Sequence, residues 1–141
     1  MVDRKIVVFK LGKQMWGIDL KYVREVVRVK QYTIVPTTTE YVLGVFNLRG
    51  QIVPLLNISK ILNVERESSE TAIILNYNEE AVGFSVDNVV GVISVSDNEM
   101  LPPPTEAGDY VKGVLRRDGE LISILDTERV LETIEQAEIT Q

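Results

Sequence analysis

An all-β fold assembled from two copies of one small unit is what this 141-residue sequence predicts, on three observations. The first is a repeat: Gly44 to Leu62 reads GVFNLRGQIVPLLNISKIL, and Gly113 to Leu131 reads GVLRRDGELISILDTERVL. The second is that Val, Ile, Leu and Tyr come in runs of about four to seven residues between Gly, Asn, Asp or Pro, the spacing of short strands. The third is that Ile52 to Leu56 and Leu121 to Leu125 read as apolar on both faces. Such strands are expected to be buried from both sides, as in small closed or nearly closed barrels whose closure protects the strand edges.

A shift of 69 positions superposes Tyr41, Val42, Gly44, Val45, Gly50, Leu56 and Leu62 on Tyr110, Val111, Gly113, Val114, Gly119, Leu125 and Leu131. Upstream, a shift of 66 positions places Gly17, Val23, Val26, Val29 and Pro36 on Gly83, Val89, Val92, Val95 and Pro102. The three extra residues of the second copy are therefore expected between Pro102 and Tyr110, in the loop-like stretch Pro102 to Gly108. A repeat of this length is too long for a solenoid unit and suits two compact subdomains, with approximate halves 1–66 and 67–141.

In chain order, Lys5 to Leu11 and Met15 to Asp19 flank the hairpin connection Gly12-Lys13-Gln14, and Thr71 to Asn76 and Ala81 to Asp87 flank Tyr77-Asn78-Glu79-Glu80 in the equivalent place. Arg49-Gly50-Gln51 and Asp118-Gly119-Glu120 are equivalent turns, the second carrying the Asp-Gly pair favoured where two positive φ values are needed. Pro54 removes a ladder donor, so its strand is expected to be an edge or to bulge there, a limit its counterpart Ser123 does not impose. Ile58 to Leu62 makes a helical turn, and Asp126 to Ala137 reads as a closing helix with Val130, Leu131 and Ile134 on one face, capped by Asp126 or Thr127. The polar stretch Asn63 to Glu70 connects the halves.

Composition narrows function. The chain is 45% hydrophobic and 26% charged, as in globular proteins. No apolar run approaches membrane-spanning length and no signal-peptide pattern is present, so a cytoplasmic address is expected, without direct membrane insertion. A formal net charge of −6 opposes binding to nucleic acid. With neither cysteine nor histidine, the chain lacks thiol nucleophiles, the usual zinc ligands and the side chain best suited to proton transfer near neutral pH. No catalytic residue, metal ligand or cofactor is expected. Asp126-Thr127-Glu128 invites comparison with duplicated aspartic proteases, but Glu replaces the required Gly and the first-half equivalent of Asp126 is Asn57, so a helix cap is the better reading. Trp16, in a hairpin strand, is read as structural. Asp19, Glu25 and Asp87 are read as solvated acids.

The segment from Gly44 to Ile58, GVFNLRGQIVPLLNI, resembles the GxxNLRGxxxPxxxL signature of the CheW family, the coupling proteins of bacterial chemotaxis. The likeness continues through Trp16-Gly17-Ile18-Asp19, Val23 and Glu25, through Val82 to Asp87, and through Gly113 to Leu131, so it covers nearly the whole chain as one CheW-like domain, 1–141. The resemblance implies two five-stranded SH3-like barrels packed side by side with a C-terminal helix. It also implies a non-catalytic adaptor whose partners are the regulatory domain of the histidine kinase CheA and the cytoplasmic tip of chemoreceptors (methyl-accepting chemotaxis proteins), recruited to receptor arrays at the inner face of the membrane.

Carried over position by position, the resemblance places receptor-coupling residues at Val23, Glu25, Gly44, Arg49, Gly83 and Val92, which a groove between the barrels would collect. Val23 and Val92 read better as core residues, and the glycines as backbone constraints. Asn47 enters by a different route. Where the first copy has Asn47-Leu48-Arg49 the second has Arg116-Arg117-Asp118, so the shared fold does not require Asn-Leu-Arg to turn this corner. Arg49 offers a planar fork to a partner's carboxylates or carbonyls, or ties its own loop to a nearby acid or carbonyl. The alternatives are a CheW-like adaptor of another signalling pathway, a small-molecule sensor binding between the barrels, and an enzyme using clustered carboxylates.

Overall fold

The computed structural model describes residues 3–36, 39–67, 69–105 and 108–139. Ten strands and two helices follow one another as β1 (Arg4–Leu11), β2 (Gln14–Asp19), β3 (Val23–Arg28), β4 (Val42–Leu48), β5 (Gln51–Leu56), α1 (Ile58–Leu62), β6 (Thr71–Tyr77), β7 (Glu80–Val86), β8 (Asn88–Val95), β9 (Val111–Arg117), β10 (Glu120–Leu125) and α2 (Thr127–Ile139). The expected hairpins, the helical turn and the closing helix are all present. Asp126 accepts the Arg129 N–H at 3.2 Å and so caps α2.

The strands form two five-stranded sheets, ordered β8-β1-β2-β10-β9 and β3-β6-β7-β5-β4. Each draws on both repeats. The hairpin β1–β2 of the first copy joins β8, β9 and β10 of the second, and the hairpin β6–β7 of the second joins β3, β4 and β5 of the first. The halves 1–66 and 67–141 are units of sequence, while the sheets exchange hairpins between them.

Register shows how closely the copies agree. Val7 pairs with Val92 and Lys5 with Ser94, while Ile73 pairs with Val26 and Thr71 with Arg28, the same contacts displaced by 66 positions. Even the slip recurs, skipping Val90 in one sheet and Arg24 in the other. Each sheet then closes into a barrel through an isolated bridge between the segment after one edge strand and the opposite edge strand, Thr33 to Val45 and Leu101 to Val114. Two backbone hydrogen bonds of 2.8 and 2.9 Å make each bridge. Gly44 and Gly113 are what permit it: a Cβ at Gly44 would overlap the Thr33 carbonyl, and one at Gly113 would lie 2.9 Å from the Leu101 carbonyl oxygen.

These bridges correct the expected position of the extra residues. Thr33 and Leu101 are 68 apart, so two of the three enter before Leu101, where a 3₁₀ turn at Asp97–Glu99 has no counterpart after β3, and only one follows it. Pro36 and Pro102 are not equivalent.

The unbroken apolar runs of β1 and β6 now have a reason. Ile6 and Val8 face the interior of the first barrel, with Val95, Leu115 and Ile122, whereas Val7 and Phe9 face a central core shared by both barrels. In β6, Ala72 and Ile74 face the second interior, with Val53 and Phe46, while Ile73 and Leu75 join the shared core. Trp16, Phe84, Leu125, Val130 and Ile134 complete that core. Each fully buried large aliphatic or aromatic side chain contributes about 1.5–3 kcal/mol, so the shared layer is a major source of stability.

Two expectations fail in β5 and β10. Ile52 and Leu121 are 67% and 52% exposed, because parallel pairing begins only at Leu55 and at Ile122, and the strand starts overhang their neighbours. Nor is β5 an edge, since it lies between β7 and β4, and the register shift of that hairpin falls at Val42–Gly44, away from Pro54. Instead Pro54 shortens the parallel ladder: β10 and β2 pair at three positions, including Ser123 with Trp16, whereas β5 and β7 pair at only two.

Candidate functional site

The turn joining β4 to β5 has two successive residues of positive φ, Arg49 at 49° and Gly50 at 89°, and its counterpart has Asp118 at 53° and Gly119 at 78°. Both are hairpin turns whose left-handed backbone matches strand twist, so the first copy holds an arginine where Asn, Asp or Gly is the usual occupant. Asn47 supports the turn by accepting the Gly50 N–H at 2.9 Å.

Arg49 reaches from this turn to Glu25 on β3, donating from Nη2 to Oε2. β3 and β4 are the two edges of the second sheet, so the pair lies across the seam at which the barrel closes. The hydrogen bond from Arg49, and then the charges of Arg49 and Arg24, hold the Glu25 carboxyl below the usual glutamate range. The same hydrogen bond and charge raise the Arg49 guanidinium. Arg49 is 61% exposed, leaving donors free to face outward.

The first barrel closes its seam differently. Arg117 on β9 donates to the Ser94 carbonyl of β8 at 3.0 Å and to Glu99 at 2.8 Å. Glu99 is drawn below its usual range first by the Ser96 N–H and then by Arg117. The counterparts of Glu25 and Arg49 here are Gly91 and Asp118, so the ion pair of one seam is not repeated at the same positions in the other.

Two barrels with closing bridges, exchanged hairpins and one shared core run through the chain from β1 to α2, and residues 5–135 match the CheW-like domain family. The chain belongs to the CheW-like family. It is 31% identical to a chemotaxis protein CheW of Treponema pallidum over 93% of this chain and 84% of that one. It is likewise 31% identical to a chemotaxis protein CheW of Thermotoga maritima, over 92% and 89%. The crystal structure of the scaffolding protein TtCheW from Thermoanaerobacter tengcongensis superposes with a TM-score of 0.80 at 33% identity, covering 89% of this chain and 90% of that one.

Within this CheW-like domain the candidates do not collect between the barrels. Val23 and Glu25 on β3, Gly44 and Asn47 on β4, Arg49 in the following turn and Gly83 on β7 all belong to the second sheet, and Val92 on β8 belongs to the first. Glu25, Arg49 and Asn47 form one cluster at the seam. Gly44 and Gly83 are internal: a Cβ at Gly83 would sit 3.3 Å from both Ile74 and Phe46. Close approach, more than backbone conformation, is what these two glycines serve. Val23 packs against the shared core, as expected. Val92 does not: it is 55% exposed on the outer face of an edge strand, where alternation sends every second side chain to solvent.

Of the exposed apolar positions that recur in both CheW-like barrels, sequence reasoning singled out only Val92. Val26 matches Val92, and Ile52 matches Leu121, all four of them exposed. The available signal was that each position stays apolar in both copies. Among the described residues, no group of three or more Asp or Glu is placed to hold a metal ion, and no helix is long and apolar enough to cross a membrane.

Proposed function

We propose that this chain is a non-catalytic adaptor that couples chemoreceptors to the chemotaxis histidine kinase CheA, so that receptor state controls kinase activity. The observation that carries this reading is the match over nearly the whole chain, in sequence and in fold, to proteins named chemotaxis protein CheW and to one described as a scaffolding protein. A scaffold needs separate surfaces for separate partners. The exposed apolar pairs Val26 with Ile52, and Val92 with Leu121, put comparable docking material on each barrel, and reversible contacts of this kind gain strength from multivalency in an array.

In this reading the seam cluster of Glu25, Asn47 and Arg49 is a polar contact point, its arginine tied to the barrel on one side and open to a partner's carboxylate or carbonyl on the other. The partners are the regulatory domain of the kinase and the cytoplasmic tip of a receptor, and the adaptor works at the inner face of the membrane. Chemical-shift mapping on the full chain, first with the kinase regulatory domain and then with a receptor-tip fragment, tests this. Two separate sets of perturbed residues are expected, at micromolar-class affinity. Absence of binding to both partners, in solution and in reconstituted arrays, would overturn the proposal.

A further inference from the structure

A cleft of about 130 Å³ opens at one end of the first barrel, beside the start of α2. Its floor is apolar, made by Ile6, Met100 and Ile124, all members of or packed against that barrel's interior cluster. Arg4, which also pairs with Asp97 at 3.5 Å, and Lys112 bring two positive charges from β1 and β9, and Asp19 brings a negative one from the end of β2. Thr127, only 2% exposed, also lines the cleft, and its hydroxyl has no hydrogen-bond partner. Tyr22 also lines the cleft, and its hydroxyl donates to Glu128 at 3.2 Å. Burial first, then Glu128, Asp19 and Asp126, push that hydroxyl above its usual range.

The second barrel serves as an internal control. At the matching positions the apolar floor is retained as Ala72, Tyr32 and Leu55, but Arg4 becomes Glu70, Lys112 becomes Leu43, Asp19 becomes Ser85 and Thr127 becomes Ile58. The barrel therefore closes without this polar set, and the fold does not account for it. Barrel mouths with an apolar lining and a few convergent polar groups are where small ligands bind.

We propose that this cleft binds a small zwitterion of the amino-acid type, its carboxylate between Arg4 and Lys112, its ammonium at Asp19 and a short apolar chain on Ile6, Met100 and Ile124. A simple carboxylate would leave Asp19 facing an anion, and a simple amine would leave Lys112 unmatched and Arg4 paired only with Asp97. Only a ligand with both charges complements both signs of charge in the cleft. The site is independent of the docking surfaces of the adaptor reading.

The test is a titration of the full chain with L-valine, isovalerate and isobutylamine, followed by calorimetry and by methyl and amide shifts. Saturable binding of L-valine is expected, with shifts at Ile6, Met100 and Ile124, and binding about tenfold or more weaker for each probe that carries one charge. Lys112→Leu and Asp19→Ser, each installing the residue the second barrel already uses, should weaken L-valine binding by about tenfold while leaving the melting temperature unchanged. Serine also retains the ability to cap the turn that Asp19 caps through the Lys21 N–H. The proposal is overturned if L-valine produces no saturable shift, if the shifts fall elsewhere, if isovalerate binds as tightly as L-valine, or if Lys112→Leu binds L-valine unchanged.

Discussion

The two seams of this molecule perform one task with different residues. In the second barrel an arginine in the hairpin turn reaches Glu25 on the opposite edge strand, while in the first an arginine one position earlier in the register, Arg117, reaches a backbone carbonyl and Glu99. The bridges beneath them, Thr33 to Val45 and Leu101 to Val114, are alike in partners and lengths. What was duplicated is the backbone closure; what diverged is the side-chain clasp laid over it. A mismatch between repeats is therefore not by itself a mark of recognition, since Asn47-Leu48-Arg49 and Arg116-Arg117-Asp118 each also contain a structural solution to the same problem.

The two closures should respond most strongly to substitution at their bridging glycines. Gly44→Ala should destabilise by about 3 kcal/mol and Gly113→Ala by about 2 kcal/mol, because both Cβ atoms meet a backbone carbonyl of the closing bridge, but the overlap at Gly44 is deeper, whereas at Gly113 the carbonyl oxygen lies at 2.9 Å and the other close neighbour is the flexible Met100 side chain. Urea midpoints at constant m-value would show it. Equal losses would mean that the two closures are less different than their contacts indicate. The next effect concerns the turns. Gly50→Val and Gly119→Val each place a β-branched residue at positive φ with no neighbour within 4 Å, so both should cost about 1–2 kcal/mol, the same in either copy within error.

The clasps should separate by pH. Because the Glu25 carboxyl is depressed in the folded state, the stability it contributes is present above the ordinary glutamate pKa of about 4.3 and is lost as pH falls through the lower folded value. The melting difference between the native chain and Arg49→Ala should therefore be small at neutral pH, as for exposed pairs, and vanish in acid. Arg117→Ala should retain a residual difference in acid, because the bond to the Ser94 carbonyl does not titrate, and Glu99 is depressed first by the Ser96 N–H. Smallest is Pro54→Ser, which installs the residue of the other copy. Its added ladder bond and its looser unfolded chain nearly cancel in stability, but a newly protected amide should appear at residue 54 in hydrogen exchange.

Much of the fold was legible because hairpins are local. The Asp118-Gly119 pair, the short polar hairpin connections and the repeat itself place nearly every strand. The partnership of the hairpins was not, since β1 and β6 carry the same pattern and nothing local tells β1 to seek β8 instead of β3. At the candidate site the members were visible one by one, through the family signature, but the contact between Glu25 and Arg49 was not, because it depends on which strands become edges of one sheet. Val92 misled for a related reason: a valine facing solvent on an edge strand has the composition of one facing a core. Pro54 announced a defect in pairing without saying on which side of the strand it would fall.

The exchange of hairpins has a consequence for a single repeat set free of its twin. Such a half-chain would hold a hairpin with no sheet to join and three strands lacking the hairpin that completes them, so it could close its barrels only by pairing with a second copy of itself. The product would be a swapped homodimer with the two-fold axis running between Phe9 and Leu75, which occupy matching places in the shared core. The covalent link through residues 63–70 then reads as the step that turned a concentration-dependent pair into one molecule, freeing its two surfaces to become unlike.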